Sequence, residues 1–329
     1  MSEPAFPPGP TSGPVAIGID IGGTKLVAAT IAADGRVLDR RRRETPANDA
    51  ALLLETLRAA IVELAAGRTD MPVGIGIAGL VSPDGVIRYG PNIGVRDIAI
   101  ATELADTTSV PIAVVNDASA AALGEQRIGA ARGHRDVVMM TLGTGVGGGI
   151  VVGGQLLLGA HGFAAEIGHL IVEDGGRPCP CGNRGCIEAY ASGSSLGRTA
   201  AERVVVYDGE TPLRGIDRPT GRDVSQAALG GDELAQQVLL EAGRWLGVAA
   251  ASLVNVLDPE VLLLGGGAAL PTSRWVVPAA TEALAERMLG RPWRSAPAFE
   301  LAALGDDAGM VGAAMLALDR TSGQPARPS

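Results

Sequence analysis

The sequence has few cysteines, few aromatic rings and no long apolar run, and each shortage excludes something. Its three cysteines cannot all pair with one another, and no basic segment followed by an apolar core stands ahead of them as an export signal. A disulfide scaffold is therefore not expected, and the chain reads as cytoplasmic with reduced thiols. No apolar stretch reaches the roughly 20 residues of a bilayer span, which argues against a membrane role. Aromatic residues are 3% of the chain against 47% apolar, so the core must be built from Ala, Val, Leu and Ile. Positive charge is also short. The net charge is −9, which argues against nucleic acid as a partner, and the four arginines at 40–43 read as a solvated strand end.

Glycine is abundant, with 47 copies among 329 residues, enough chain for two ordinary domains. Residues 15–20 form a short apolar strand ending in Asp20, followed by Gly22, Gly23, Thr24 and Lys25. The next apolar run, 26–32, meets Asp34-Gly35 and then another strand, so the glycine loop opens a hairpin. Dinucleotide and Walker loops open a helix instead. Gly22 and Gly23 would let backbone amides approach a phosphate, Thr24 adds a hydroxyl, and Asp20 suits Mg2+ held through water; a plain glycine turn is the alternative. The same device returns at 137–152, where a strand enters Gly143-Thr144-Gly145 and leaves as a strand.

Between the two hairpins, 51–65 has helical spacing, 73–78 is a strand ending at Gly79, and 98–105 reads as a helix. The strand 111–115 ends in Asn116-Asp117 and opens an Ala-rich helix. Such strand ends carry the active sites of open α/β sheets, although Asp117 also suits a helix cap. Further on, 189–206 and 232–257 read as helices, with Trp245 in the core. A strand at 261–264 runs into Gly265 and Gly266, a candidate adenosine wall. A helix at 273–288, a strand at 299–301 and a helix at 309–317 close the pattern. The expected fold class is α/β: two related domains with an active-site cleft between them. Residues 15–117 form the smaller, completed by a terminal helix at 305–320, and 118–304 form the larger. Tails at 1–14 and 321–329 are expected to be disordered.

All three cysteines lie in one polar, turn-rich stretch, Cys179, Cys181 and Cys186, with His169 just upstream. Three thiols and an imidazole are the donor set of a closed structural zinc site, and Glu166 and Glu188 bracket it. Buried apolar thiols or a disulfide are the alternatives.

These motifs resemble the ROK family of sugar kinases, within the actin-like (ribonuclease H-like) phosphotransferases. The resemblance rests on I-G-I-D-I-G-G-T-K at 17–25, V-V-N-D-A at 114–118, T-L-G-T-G-V-G-G-G-I at 141–150, and E-I-G-H with C-x-C-G-x-x-G-C-x-E at 166–188. It implies phosphoryl transfer from Mg-ATP to a hexose, glucose first and an N-acetylhexosamine as the alternative. It also implies that Asp117 is the general base. Gly79, Asn92, Asn116, Glu166, His169 and Glu188 become sugar ligands; Cys179, Cys181, Cys186 and His169 bind zinc; and the assembly is a dimer or tetramer. One departure is that Ala165 stands where the family often has glycine before Glu166. Repressor members carry a winged helix ahead of the first hairpin, for which 14 residues are too few, so that role is not expected.

Overall fold

The structure, a computed structural model, describes residues 15–321. The tails expected at either end lie outside these residues, except that Thr321 closes the last helix. The chain divides into two compact units. The first comprises the chain up to Ile128, Leu158–Ala164 and everything from Asp307. The second comprises Gly129–Leu157 and Ala165–Asp306.

In the first unit, β1 (Val15–Ile21), β2 (Lys25–Ala32) and β3 (Val37–Glu44) form the antiparallel meander that the glycine loop and Asp34-Gly35 predict. Helix α1 (Ala50–Ala65) follows, capped by the Asp49 side chain and burying Leu53, Leu57, Ile61 and Leu64. Strand β4 (Val73–Ile77) then pairs parallel with β1. A small ribbon, β5 (Leu80–Val81) with β6 (Ile87–Tyr89), and the short helix α2 (Ile100–Glu103) lead to β7 (Ile112–Asn116), which is parallel to β4. The helix expected over 98–105 thus shrinks to one turn followed by a 3-10 turn. Helix α3 (Asp117–Arg127) belongs to this unit. The sheet order is β3-β2-β1-β4-β7.

The second unit repeats that plan. Strands β8 (Val137–Leu142), β9 (Val146–Val152) and β10 (Gln155–Leu156) form an antiparallel meander. Two short helical stretches, α4 (Glu188–Ala191) and α5 (Gly193–Val204), replace the single helix expected from 189. The break falls at Ser192, whose extended backbone and side chain cap α5. Helix α6 (Gly221–Leu229), which the sequence reading did not anticipate, starts with a capping box at Thr220 and Asp223. Then come α7 (Glu233–Leu257), β11 (Val261–Gly265), α8 (Ala269–Arg287) and β12 (Ala298–Leu301). The order β10-β9-β8-β11-β12 matches the first sheet strand for strand. Trp245 is half-buried, stacked on Tyr190 at the margin of the core. No helix among the described residues is long and apolar enough to cross a membrane.

The last helix, α9 (Ala308–Thr321), returns to the first unit. It shows how a chain poor in aromatic residues fills its interior, because backbones approach one another directly. A Cβ added to Gly312 would lie 1.7 Å from the Ala120 carbonyl oxygen of α3, and one added to Gly74 of β4 would lie 1.8 Å from the Ala313 carbonyl oxygen. Overpacking of this kind costs about 1–3 kcal/mol. Gly312→Ala should therefore lower the urea midpoint by at least that equivalent. Gly215→Ala, which meets nothing within 4 Å, should leave it nearly unchanged.

Candidate functional site

The parallel register of the first sheet puts Ile21, Ile77 and Asn116 at one level. The carboxyl ends of β1, β4 and β7 therefore bring Asp20, Gly79, Asn116 and Asp117 together on one edge. The Asp20 carboxylate packs on the first turn of α9, where a Cβ at Gly309 would lie 3.0 Å from Oδ1. Asn116 does two jobs. Its Oδ1 accepts the Ser119 N–H at 3.1 Å and caps α3, while its Nδ2 donates to the Gly79 carbonyl at 3.2 Å. The cap role considered for Asp117 thus belongs to its neighbour, and Asp117 occupies the first helical position. Its Oδ1 accepts the Ala118 N–H at 2.9 Å. Asp117 keeps some accessible area, but protein atoms crowd its carboxyl. The resulting desolvation raises its pKa above the ordinary value, against the opposing pull of the Ala118 and Asp117 N–H groups and the Asn116 side chain. Asn92 is exposed, and its backbone carbonyl lies against Gly23 of the first hairpin.

The two glycine hairpins are built alike. In the first, Gly22 N–H donates to the Lys25 carbonyl, Thr45 Oγ1 donates to the Gly22 carbonyl at 2.7 Å, and Thr45 N–H donates to the Thr24 carbonyl at 3.2 Å. In the second, Gly143 N–H donates to the Gly145 carbonyl, Gly193 N–H to the Gly143 carbonyl at 2.8 Å, and Ser194 Oγ to the Thr144 carbonyl at 2.9 Å. Among the described residues, no protein group accepts from the amides of Gly23, Thr24, Thr144 or Gly145. Each turn therefore offers two successive N–H groups, the concavity that suits an anion. Gly265 and Gly266 flank the second hairpin, and a Cβ at Gly266 would lie 2.4 Å from the Leu142 carbonyl.

The second unit also gathers the cysteines. The Sγ and Nδ1 atoms of Cys179, Cys181, Cys186 and His169 all lie within 4.8 Å of one another. Cys181 and Cys186 sulfurs are 3.7 Å apart, and Cys179 Sγ is 3.8 Å from His169 Nδ1. A tetrahedral zinc with spokes of about 2.3 Å has edges of about 3.8 Å, so the set fits such an ion. His169 Nε2 points the other way, 4.0 Å from Glu166 Oε2. Glu188 opens α4, with Oε2 accepting the Val146 N–H of the second hairpin at 3.0 Å and Oε1 lying 3.9 Å from Cys179 Sγ. Glu166 and Glu188 thus both stand beside the donor cluster to which His169 belongs.

Ala165 adopts a left-handed backbone, φ +67°, directly before Glu166. Glu166 itself forms a tight turn, with Ile167 N–H donating to the Ala165 carbonyl at 2.7 Å. The place where glycine is common in the family is thus one where the backbone favours glycine. The bracing residues Thr45, Gly193 and Ser194 gave no recognisable signal. A threonine after a strand and a Ser-Gly-Ser before a helix read only as punctuation.

Two α/β units of one topology, each with a glycine hairpin at the edge of parallel strands, define an actin-like phosphotransferase fold. The chain belongs to the ROK family, whose model matches residues 16–320. A glucokinase of Streptomyces coelicolor is 36% identical over 311 residues, covering 92% of this chain and 96% of that protein. An N-acetylmannosamine kinase of Escherichia fergusonii is 33% identical over 304 residues, covering 92% and 97%. Among solved structures, a ROK family glucokinase from Streptomyces griseus in complex with glucose and AMPPNP superposes with a TM-score of 0.76 at 36% identity, covering 93% of this chain and 99% of that one.

Two outcomes are expected. Ala165→Gly should raise stability by about 1 kcal/mol, seen as a higher melting temperature, because it removes left-handed strain. Elemental analysis should find one zinc per chain. Cys186→Ser should lower both that content and the melting temperature, and an unchanged metal content would refute the assignment.

Proposed function

We propose that the protein is a hexose kinase that transfers the γ-phosphoryl group of ATP to the 6-hydroxyl of glucose. The observation that carries this reading is the Asp117 carboxyl, held at the end of a buried strand with its proton affinity raised. A carboxylate whose proton affinity is raised by burial suits removal of a hydroxyl proton. Asn116 orients it from the preceding position and, with Gly79, Glu166, His169 and Glu188, would read the sugar hydroxyls. Charged acceptors bond strongly to O–H, so carboxylates are apt readers.

Phosphoryl transfer needs positioning and charge neutralisation more than covalent chemistry. The bare amides at Gly23-Thr24 and Thr144-Gly145 would hold phosphate oxygens. Asp20 offers a hard oxygen donor to the Mg2+ that travels with ATP, and Lys25 a positive charge. Asp117 would take the proton as the sugar oxygen attacks phosphorus. Cys179, Cys181, Cys186 and His169 would hold zinc, which supplies rigidity here and no Lewis-acid chemistry, because four ligands close its coordination. His169 Nε2 and Glu188 would then be fixed for the sugar.

Glucose is preferred because a glucokinase relative and a glucose-bound neighbour are each 36% identical to this chain. The N-acetylmannosamine kinase at 33% supports an N-acetylhexosamine as the second reading. A panel of glucose, mannose, fructose, N-acetylglucosamine and N-acetylmannosamine, run with ATP, ADP and polyphosphate as donors, decides between them. Glucose with ATP should give the highest kcat/KM.

Asp117→Asn should cut kcat by about 100-fold or more while sugar binding survives. The sign of the stability effect follows from linkage. A carboxyl whose folded pKa is raised contributes stability that is complete below its unfolded pKa and lost as pH rises through the folded value. Above that folded value the charge on Asp117 is thus a liability to the fold, and Asp117→Asn should there match or exceed the wild type in melting temperature. Near-normal turnover in that variant would refute the mechanism.

A further inference from the structure

The two hairpins share a feature that the sequence motifs do not contain. Each has its carbonyl oxygens tied by one later segment of chain. Thr45 does this in the first unit with both its hydroxyl and its N–H, reaching the Gly22 and Thr24 carbonyls. In the second unit the work is divided: Gly193 N–H reaches the Gly143 carbonyl and Ser194 Oγ the Thr144 carbonyl. Neither segment is near its hairpin in sequence. Thr45 follows β3, while Gly193 and Ser194 start α5. Thr45 is buried and Ser194 is exposed.

A glycine turn presents carbonyls on one side and amides on the other. An anion is repelled by the first and attracted by the second. Free glycine turns can flip a peptide and reverse the two, since glycine accepts both signs of φ. A hydroxyl or N–H that donates to the carbonyl prevents the flip and offsets the carbonyl dipole. The amides of Gly23, Thr144 and Gly145, which share their peptide planes with the tied Gly22, Gly143 and Thr144 carbonyls, then stay on the open side.

We propose that Thr45 and Ser194 are positioning residues for nucleotide phosphates, each locking one glycine hairpin in its amide-out form. The proposal rests on the reading of the hairpins as phosphate holders. It adds that their competence is set from outside the motifs, by a hydroxyl in each unit. Gly193 reinforces the second brace, and its glycine is required, since a Cβ there would lie 2.8 Å from the Gly143 carbonyl oxygen.

The test uses the full-length protein with ATP and whichever hexose the panel selects. Ser194→Ala and Thr45→Val remove the hydroxyl donors, and Ser194→Thr and Thr45→Ser restore them. A neutral hydrogen bond of this kind is worth about a threefold to tenfold change. Each deletion should raise the KM for ATP by that factor, leave the KM for sugar and the zinc content unchanged, and recover in the hydroxyl-bearing variant. The double deletion should multiply the two effects, because the residues lie in different units. If Thr45→Val proves unstable by thermal melting, the exposed Ser194 carries the test alone. The proposal is overturned if the deletions leave the ATP KM unchanged, raise both KM values equally, or are not rescued by the hydroxyl-bearing variants. A wild type that binds no nucleotide would instead overturn the kinase reading, which separates the two failures.

Discussion

The nearness of α9 to the first sheet governs what that unit can present at its edge. Gly74 and Gly312 let helix backbone touch strand and helix backbone, with no side chain between them. That contact places Gly309 against the Asp20 carboxylate, at the end of the helix where unpaired N–H groups and the dipole favour negative charge. The same packing supports α3, the helix opened by Asn116 and Asp117. An aromatic-rich core would hold helix and sheet farther apart and could not put an acid there. The shortage of aromatic residues is thus a condition of the site as well as a feature of composition.

The second unit solves a comparable problem with a different anchor. Its Glu188 carboxylate stands on a helix of only four residues, too short to be rigid alone. Three separate attachments fix it. Oε2 accepts the Val146 N–H, and the chain before it holds Cys186. Two residues later, the Tyr190 hydroxyl donates to Glu173 and accepts the Arg177 N–H at 2.7 Å, pinning the cysteine loop to the same turn. The ring of Tyr190 packs at a tilt against Trp245, 4.5 Å between centroids, which ties the turn to the long helix α7. Where the core offers little rigidity to a loop, polar cross-bracing and a metal-type donor cluster supply it.

Much of this was legible in the chain because the informative residues are local. Strand-glycine-strand patterns gave both hairpins, and the sheet order repeats as the repeated motif implies. The donor set could be read because ligand chemistry depends on residue type and short spacing. The chain was less readable where structure depends on distant partners. The helix expected from residue 189 breaks at Ser192 because that serine serves as a cap, and caps compete with helix continuation. Helix α6 is only nine residues long, and its buried face is made of Val224, Ser225, Ala227 and Ala228, a short stripe of small residues. Thr45 matters through carbonyls more than 20 positions away, and Ser194 through one 50 positions away, and no window of sequence contains such pairs. Asn116 and Asp117 were seen as a pair, but which of them caps the helix is decided by backbone geometry.

Glu188 touches both the second hairpin and the cysteine cluster, and that sharing limits how the protein can be altered. A substitution chosen there to favour a different monosaccharide would also disturb the turn at Val146 and the neighbourhood of Cys179. Evolution or engineering of sugar preference meets less resistance in a segment that carries fewer such ties. Diversification among relatives with different acceptors would then concentrate in segments that bear no such double contact, while the carboxylate at the junction stays fixed.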